Sequence, residues 1–272
     1  MASPEEPTRL TVRSAKVRNA SRLATRSCRS DKQEFLAEGP QAVREALGRP
    51  EVVLEVFATL DATDRHPDLS AGAAAGDIAW HVVDETVVKT ICDTVHPQGL
   101  VARCRFVDVS LDDIVAAELR LVVVCVDIRD PGNAGTVIRC ADAAGADAVI
   151  FAGNSVDPFN PKAVRASAGS VFHVPIVLAT DTSTVVDTLH AKGMQVFAAD
   201  GQGNLDLFAD DDRLVAPTVW LLGNEAWGLR GETRALADEV VSVPIFGEAE
   251  SLNLATAAAV CLYASARAQR IR

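Results

Sequence analysis

The feature that most constrains the fold is a series of short apolar runs in the second half of the chain. LVVVCVDI (121–128) is apolar almost throughout, which is typical of a strand in a sheet covered on both faces. Helical and strand patterns then alternate, with further strands predicted at 147–153, 172–178, 195–200, 218–223 and 239–245. This alternation predicts an α/β fold with a mostly parallel open sheet.

Open parallel sheets bind ligands in the loops at the carboxyl ends of their strands, and the first such loop is DIRDPGNAGTVIRCADAAG (127–145). Asn133 is placed to cap the helix that follows. Arg139 lies in an otherwise small and apolar stretch, so its side chain either extends to solvent or binds an anion. The G-N-A-G run does not match the glycine pattern of a dinucleotide-binding loop.

The second loop, LLGNEAWGLRGE (221–232), places polar residues directly after a buried strand. Gly223 permits close approach of a ligand to the backbone. Asn224 and Glu225 follow where the strand ends. A carboxylate in this position needs a partner because burying an unpaired charge is costly. Arg139 is the candidate partner, and such a pair would join the first two loops.

The third loop, VPIFGEAESLNLATAAAV (243–260), leads into a long alanine-rich helix predicted at 251–270. Ser251 is interpreted as the N-cap of this helix. Asn253 is not explained by helix formation, because asparagine gains little inside a first turn. The backbone amides at this helix start favour an anion or a carboxylate.

The first half of the chain predicts a smaller α/β unit at residues 31–108, followed by a linker at 109–119 and the larger domain at 120–272. Residues 1–30 look irregular and carry a local charge of +5. The whole chain has a net charge of −11, so the remainder carries −16. The basic segment is therefore either a solvated tail or an arm that contacts phosphates.

Other sequence features exclude several classes of protein. The six cysteines are scattered without a C-x-x-C pair, which argues against a zinc site, any other metal centre or a disulfide scaffold. No apolar segment approaches the roughly 20 residues that a bilayer requires. The N-terminus lacks a signal-peptide core. We therefore expect a soluble cytoplasmic protein without a membrane partner.

Taken together, these segments resemble the SpoU/TrmH family of RNA ribose 2′-O-methyltransferases, within the SPOUT superfamily. The chain is similar to the family's three ordered motifs at NAGTVIR (133–139), LGNEAWGL (222–229) and 244–259, which contains SLN (251–253). PKAVRASAGSVFHVP (161–175) resembles a further family segment. FLAEGPQAVREAL and DETVVKTICDTVHPQGLVA are similar to the substrate-binding domain that precedes the catalytic domain in many members.

The resemblance implies a C-terminal SPOUT domain with a parallel sheet and a deep trefoil knot. A smaller α/β/α domain, like a ribosomal protein that binds RNA, precedes it. It also implies a homodimer formed through the knotted domain, with the active site near that interface. The implied activity is S-adenosylmethionine-dependent methylation of a ribose 2′-hydroxyl in structured RNA. The substrate implied is 23S ribosomal RNA, as in thiostrepton-resistance-type relatives.

Three alternatives remain open at this point. The substrate would be transfer RNA in the first. In the second, the chain is a non-catalytic RNA-binding or ribosome-assembly factor that has kept the fold. A nucleotide-binding dehydrogenase is the third and most distant. Leu254, Ala255 and Thr256 stand where many relatives have Val-Ser-Val, a conservative departure.

The resemblance also implies roles for individual residues. Arg139 would orient an RNA phosphate and stabilise developing alkoxide charge. The residues that would orient Arg139 and the substrate are Asn133, Glu225, Ser251 and Asn253. Those that would hold the cofactor are Gly223, Asn224, Val243, Ile245, Leu252 and Asp200. The residues that would contact RNA are Arg165, Arg18 and Arg22.

Overall fold

The computed structural model describes residues 10–209 and 211–270. The helices, in chain order, are α1 (Ala15–Ser21), α2 (Arg26–Lys32), α3 (Pro40–Leu47), α4 (Leu60–Arg65), α5 (Pro67–Ala75), α6 (Glu85–Ile91), α7 (Leu111–Val115), α8 (Pro131–Ala144), α9 (Pro161–Ser167), α10 (Thr182–Ala191), α11 (Gly231–Arg234) and α12 (Leu254–Arg270). Short 3₁₀ turns occur at Arg22–Ala24, Pro50–Val52, Ser170–Phe172 and Asp211–Val215.

The strands, in chain order, are β1 (Glu34–Glu38), β2 (Val53–Thr59), β3 (Ala79–Val83), β4 (Leu100–Arg105), β5 (Asp108–Val109), β6 (Leu121–Val126), β7 (Ala148–Ala152), β8 (Ile176–Leu178), β9 (Gln195–Ala199), β10 (Leu205–Asp206), β11 (Thr218–Leu222) and β12 (Glu239–Ser242). They form two sheets, which belong to two compact units. The chain up to Phe106 together with Phe159–Phe172 forms the first unit. Val107–Pro158 and the chain from His173 onward form the second.

The first unit contains a four-stranded sheet in the order β1-β4-β2-β3. β4 pairs antiparallel with both of its neighbours, and β2 pairs parallel with β3. Phe159 and Phe172 join this unit by packing on an aromatic cluster. The Phe159 ring centroid lies 4.9 Å from that of Phe35 and 4.1 Å from that of Phe106. Apolar burial thus attaches a segment from the second half of the sequence to the first unit.

The irregular structure expected for residues 1–30 is wrong from residue 15 onward, and residues 1–9 lie outside the described part. Val17, Ala20 and Leu23 are fully buried in the apolar core of the first unit. Arg29 is also buried, and its Nη1 donates to the carbonyl oxygens of Leu23 and Ala24 at 2.8 and 2.9 Å. The segment folds because its apolar residues recur at helical spacing and its buried guanidinium is hydrogen-bonded.

The second unit confirms the predicted parallel sheet. All eight strands pair in parallel, in the order β10-β12-β9-β11-β6-β7-β8-β5. β6 is fully buried along its length, as its uninterrupted apolar run predicts. The carboxyl ends of β6 and β11 are adjacent, and β12 lies beyond β9 on the same side of β6. The loops that follow these strands therefore open at one edge of the sheet.

The final helix begins three residues later than predicted. α12 spans Leu254–Arg270, and Ser251 lies before it. Asn253 is the cap, because its Oδ1 accepts hydrogen bonds from the backbone amides of Ala255 and Thr256 at 2.9 and 3.4 Å. Trp220 of β11 is fully buried and donates through Nε1 to Ser265 Oγ at 2.9 Å. This bond ties α12 to the middle of the sheet.

Among the residues that the structure describes, no helix has both the length and the apolar character needed to cross a membrane.

Candidate active site

Glu225 joins the first two loops through hydrogen bonds to backbone amides. Its Oε2 accepts from the backbone amide of Arg129 at 3.1 Å, and its Oε1 accepts from that of Asp130 at 3.0 Å. Asn133 Nδ2 also donates to Oε1, at 3.2 Å. The predicted ion pair between Glu225 and Arg139 is therefore wrong. The carboxylate is instead satisfied at the start of α8, where backbone amides are free to donate.

These hydrogen bonds favour the ionised form of the Glu225 carboxyl. Partial burial acts to raise its pKa, but hydrogen bonds from backbone amides and from Asn133 outweigh that effect. The net result is a pKa below the ordinary value. Glu225 thus acts as a fixed acceptor that holds the two loops together, and is poorly suited to supply a proton near neutral pH.

Asn133 and Asn253 extend this connection to the third loop. Asn253 Nδ2 donates to Asn133 Oδ1 at 3.1 Å. A chain of hydrogen bonds therefore runs from Glu225 through Asn133 to Asn253, so that the three loops converge at the carboxyl edge of the sheet. The predicted capping role of Asn133 is wrong, because Asp130 is the N-cap of α8 and accepts from the Asn133 amide at 2.9 Å.

The loop after β11 is folded tightly on itself. The backbone amides and carbonyls of Asn224 and Gly228 bond reciprocally at 2.9 Å. The Asn224 side chain is buried, donates to the carbonyl of Asp127 at 2.7 Å and accepts from the Ala226 amide at 2.8 Å. Gly223 faces the backbone of Gly228 at close range, so the loop itself approaches this glycine, whereas the sequence suggested a ligand.

A cleft of about 310 Å³ opens beside these loops. This volume is at the small end of the range of about 300–1,000 Å³ typical of ligand sites. The cleft is lined by Ala199, Asp200, Gly201, Gly223, Asn224, Glu225, Gly228, Val241, Val243, Ile245, Glu250, Ser251, Leu252, Leu254 and Ala257. All six residues expected to hold a cofactor belong to this lining, and so do Glu225 and Ser251.

Asp200 lies at the end of β9 with its carboxylate partly engaged. Oδ1 accepts from the Gln202 amide at 2.9 Å, and Oδ2 lies 3.5 Å from Arg234 Nη1. Glu250 also lines the cleft, although no role was predicted for it. Its position directly before Ser251, in the third loop, was the available signal. Asp200, Glu225 and Glu250 give the cleft three carboxylates, and no cationic residue of the described chain lines it.

Arg139 stands apart from this cluster. Its side chain is exposed and, within residues 10–209 and 211–270, makes no hydrogen bond or ion pair. It lies six positions after Asn133, which places it about 9 Å further along α8 and on a different face. Arg139 therefore faces outward from a helix whose first turn is part of the site.

The residues expected to contact RNA lie in the first unit. Arg165 on α9 is held by carboxylates: Nη1 lies 2.7 Å from Glu38 Oε2 and Nη2 lies 3.4 Å from Asp93 Oδ2. Any phosphate at Arg165 would compete with these two partners. Arg18 in α1 and Arg22 in the following turn are exposed, and neither side chain forms an ion pair within the described part of the chain.

Replacing Glu225 with glutamine should lower the free energy of unfolding at pH 7 by about 1–2 kcal/mol. Glutamine offers one acceptor oxygen to three donors, and water at this partly exposed position recovers some of the loss. Because the folded-state pKa is lowered, the carboxylate stabilises the fold fully above its unfolded pKa, near 4.5. This contribution is lost as the pH falls through the folded-state pKa.

Urea denaturation from pH 7 to pH 3 measures this effect. The difference between the wild-type protein and Glu225→Gln should be constant near neutrality and shrink at acid pH. A difference that is independent of pH would show that the ionised carboxylate does not stabilise the loops.

The fold and the site together define a class of protein. A small α/β unit accompanies a parallel-sheet unit, in which three loops are joined at the carboxyl edge beside a cleft that two of them line. The SpoU rRNA Methylase family model matches residues 120–263, and the MRM3-like substrate binding domain matches residues 14–102. The chain belongs to the SpoU rRNA methylase family.

Relatives and solved structures agree with this assignment over nearly the whole chain. The 23S rRNA (guanosine(2553)-2′-O)-methyltransferase RlmP of Bacillus subtilis is 33% identical over 93% of this chain and 96% of its own length. An AdoMet-bound rRNA methyltransferase from Sinorhizobium meliloti matches with a TM-score of 0.82 and 32% identity, covering 94% of this chain and 95% of that one. The SpoU methyltransferase AviRb from Streptomyces viridochromogenes, in complex with AdoMet, also has a TM-score of 0.82, with 31% identity over 95% of this chain and 99% of that one.

Proposed function

We propose that this protein uses S-adenosylmethionine to methylate a ribose 2′-hydroxyl in structured RNA, with 23S ribosomal RNA as the substrate. The observation that carries the proposal is the convergence of the loops after β6, β11 and β12, which Glu225, Asn133 and Asn253 join and of which the last two line one cleft. Family membership supports the reaction type, and the RlmP relative supports the ribosomal substrate.

The residues of the cleft fit S-adenosylmethionine. The side chains of Val243, Ile245 and Leu252 provide apolar surface for the adenine. The three carboxylates complement the positive charges of the sulfonium and the ammonium group. The two AdoMet-bound structures, with TM-scores of 0.82, support the same ligand. When bound, the cofactor would supply a methyl group to the 2′-oxygen and leave as S-adenosylhomocysteine, and the hydroxyl proton would pass to a base, a role in which an RNA phosphate would share.

The protein's part in this reaction is chiefly one of positioning. Glu225, Asn133 and Asn253 fix the loops that border the cleft. Ser251, exposed at its edge, has a free hydroxyl side chain for the substrate within the described part of the structure. Arg139 is exposed on α8 outside the cleft. As the family resemblance implies, with the active site near the homodimer interface, it supplies a cation there for an RNA phosphate and for the negative charge that develops on the 2′-oxygen.

We further propose the larger organisation that the family resemblance implies. The domain at 120–272 forms a trefoil knot and a homodimer. Tyr263 on α12 is half exposed, which supports a surface on this domain that a second copy covers. The first unit, which contains most of the proposed domain at 31–108, binds RNA with the help of Arg18, Arg22 and Arg165. The segment 109–119, expected as a linker, belongs to the second unit. Because the proposed substrate is ribosomal RNA, we propose that the enzyme acts in the cytoplasm. Light scattering of the purified protein tests the dimer.

Mapping of 2′-O-methyl groups tests the activity. Ribosomal and transfer RNA from a deletion strain should be compared with RNA from the parent, and the deletion should remove one methyl group from 23S rRNA. Purified protein and radiolabelled S-adenosylmethionine should restore it in vitro. Loss from transfer RNA would favour the alternative substrate. RNA binding without methyl transfer would favour a non-catalytic assembly factor.

A further inference from the structure

An exposed aromatic side chain and two arginines lie on the loops after β6 and β11, which Glu225 joins. Trp227 lies in the loop after β11, and Arg230 follows it three residues later. Arg129 lies in the loop after β6, and its backbone amide donates to Glu225, two residues before Trp227. We refer to Arg129, Trp227 and Arg230 as the rim platform. The sequence motifs described above assign no role to these three side chains.

The loop presents Trp227 in a fixed position. The reciprocal hydrogen bonds between Asn224 and Gly228 close the backbone around it, and Glu225 fastens the loop to the start of α8. Nevertheless, 51% of the Trp227 surface is exposed, whereas Trp220 on the preceding strand is fully buried. An indole held on a well-anchored loop loses little conformational entropy when it stacks against a planar partner.

The two arginines of the rim platform carry uncompensated charge. Both are exposed, and neither side chain forms a hydrogen bond or an ion pair with the rest of the described chain. By contrast, Arg234 and Arg213 in the same unit lie beside Asp200 and Glu239. In a chain with 37 acidic and 26 basic residues, two unpaired cations on the loops that Glu225 joins, one of which also carries the exposed indole, mark a local site for an anionic partner.

We infer that the rim platform binds an unpaired nucleotide of the RNA next to the methylated ribose. Trp227 stacks on its base, and Arg129 and Arg230 contact the flanking phosphates. Single-stranded RNA is recognised by this combination of aromatic stacking and arginine contacts. Trp227 does not line the cleft, so its partner is the RNA and not the methyl donor. The inference rests on the proposed function, because it assigns part of the RNA substrate's site.

Fluorescence anisotropy with a labelled single-stranded RNA of about 12 nucleotides tests the stacking contact. We expect Trp227→Ala to weaken binding about 5- to 100-fold, whereas Trp227→Phe keeps most of the affinity because it retains an aromatic face. RNA should also quench the tryptophan fluorescence of the wild-type protein more than that of Trp227→Phe. Equal affinities for the wild-type protein and Trp227→Ala would overturn the proposal.

Salt dependence tests the two arginines. The double variant Arg129→Ala/Arg230→Ala should reduce the slope of log affinity against log salt by about 0.7 for each phosphate that the protein no longer neutralises. The double variant Lys192→Ala/Arg213→Ala removes the same charge near the amino ends of β9 and β11 and should leave the slope unchanged. Equal slopes for the two double variants would overturn the proposal.

Two further measurements distinguish this inference from the proposed function. Calorimetry should give every variant the wild-type affinity for S-adenosylmethionine, which also shows that the cleft remains folded. If the wild-type protein neither binds the cofactor nor methylates RNA, the proposed function fails. If it does both and Trp227→Ala only shifts the oligomeric state in sedimentation velocity, with unchanged RNA affinity, the indole belongs to a protein interface and the RNA platform is wrong.

Discussion

Replacing Arg139 with alanine should lower the rate of methyl transfer by about 100- to 1,000-fold, which is the effect of removing one donor that stabilises developing charge. The Arg139 side chain is exposed and makes no hydrogen bond or ion pair within the described chain, so its removal leaves no buried partner unsatisfied. We therefore expect unchanged thermal stability. S-adenosylmethionine affinity should also be unchanged, because Arg139 does not line the cleft.

Single-turnover methylation with radiolabelled cofactor measures this effect, with RNA affinity measured separately. Arg139→Lys should recover only part of the rate, because an ammonium keeps the charge but not the planar arrangement of donors. Arg213→Ala removes an arginine near the amino end of the sheet and should transfer methyl groups at the wild-type rate. An Arg139→Ala enzyme with wild-type single-turnover rates would remove this arginine from the chemistry.

The sequence was sufficient to predict that the site lies at the carboxyl edge of the sheet, because its pattern indicated that the strands are parallel. The uninterrupted apolar run at 121–128 indicated a sheet covered on both faces, and regular alternation indicated parallel strands. Once the strands are parallel, their carboxyl ends share one edge. Polar residues directly after them, such as Asn133 and Glu225, must then lie near each other. The hydrogen bonds from Asn133 to Glu225 and from Asn253 to Asn133 show that these side chains are in contact.

The partners of individual side chains did not follow from the sequence. Glu225 was expected to pair with an arginine, but its main donors are the backbone amides of Arg129 and Asp130. Backbone donors are present at every residue except proline, so a sequence gives no sign of which ones are free. The cap of α12 shows the same difficulty. Ser251 and Asn253 both suit the position, and the path of the loop selects Asn253.

Composition misled the interpretation of the N-terminal segment. Its positive charge suggested an irregular arm, yet Val17, Ala20 and Leu23 recur every three residues and are buried. That spacing was the signal for a helix, and the neighbouring basic residues Lys16, Arg18 and Arg22 are exposed. The placement of Phe159 and Phe172 with the first unit could not be predicted in this way. It depends on rings more than 50 residues away in sequence, Phe35 and Phe106.

Replacing Gly223 with alanine should weaken the binding of S-adenosylmethionine about 100-fold or more without changing any polar residue of the site. A Cβ atom at Gly223 would lie 2.5 Å from the carbonyl oxygen of Gly228, and closer still to the Gly228 carbonyl carbon and the Leu229 nitrogen. All three are backbone atoms, so no side-chain rotation relieves the overlap. The loop from 223 to 229 must move, at a cost of about 1–3 kcal/mol or more.

This variant tests the shape of the site alone, because the loop moves while its polar side chains remain chemically the same. Asn224, Glu225 and Gly228 line the cleft, so moving the loop displaces them. Calorimetry should then show binding of S-adenosylmethionine about 100-fold weaker or more, which corresponds to about 3 kcal/mol of strain in the bound form. Gly231→Ala adds the same methyl group in open space at the start of α11 and should bind normally. If Gly223→Ala also binds normally, the loop tolerates displacement and Glu225 does not need its present position. The hydrogen bonds that the backbone amides of Arg129 and Asp130 donate to Glu225 would then have no effect on cofactor binding.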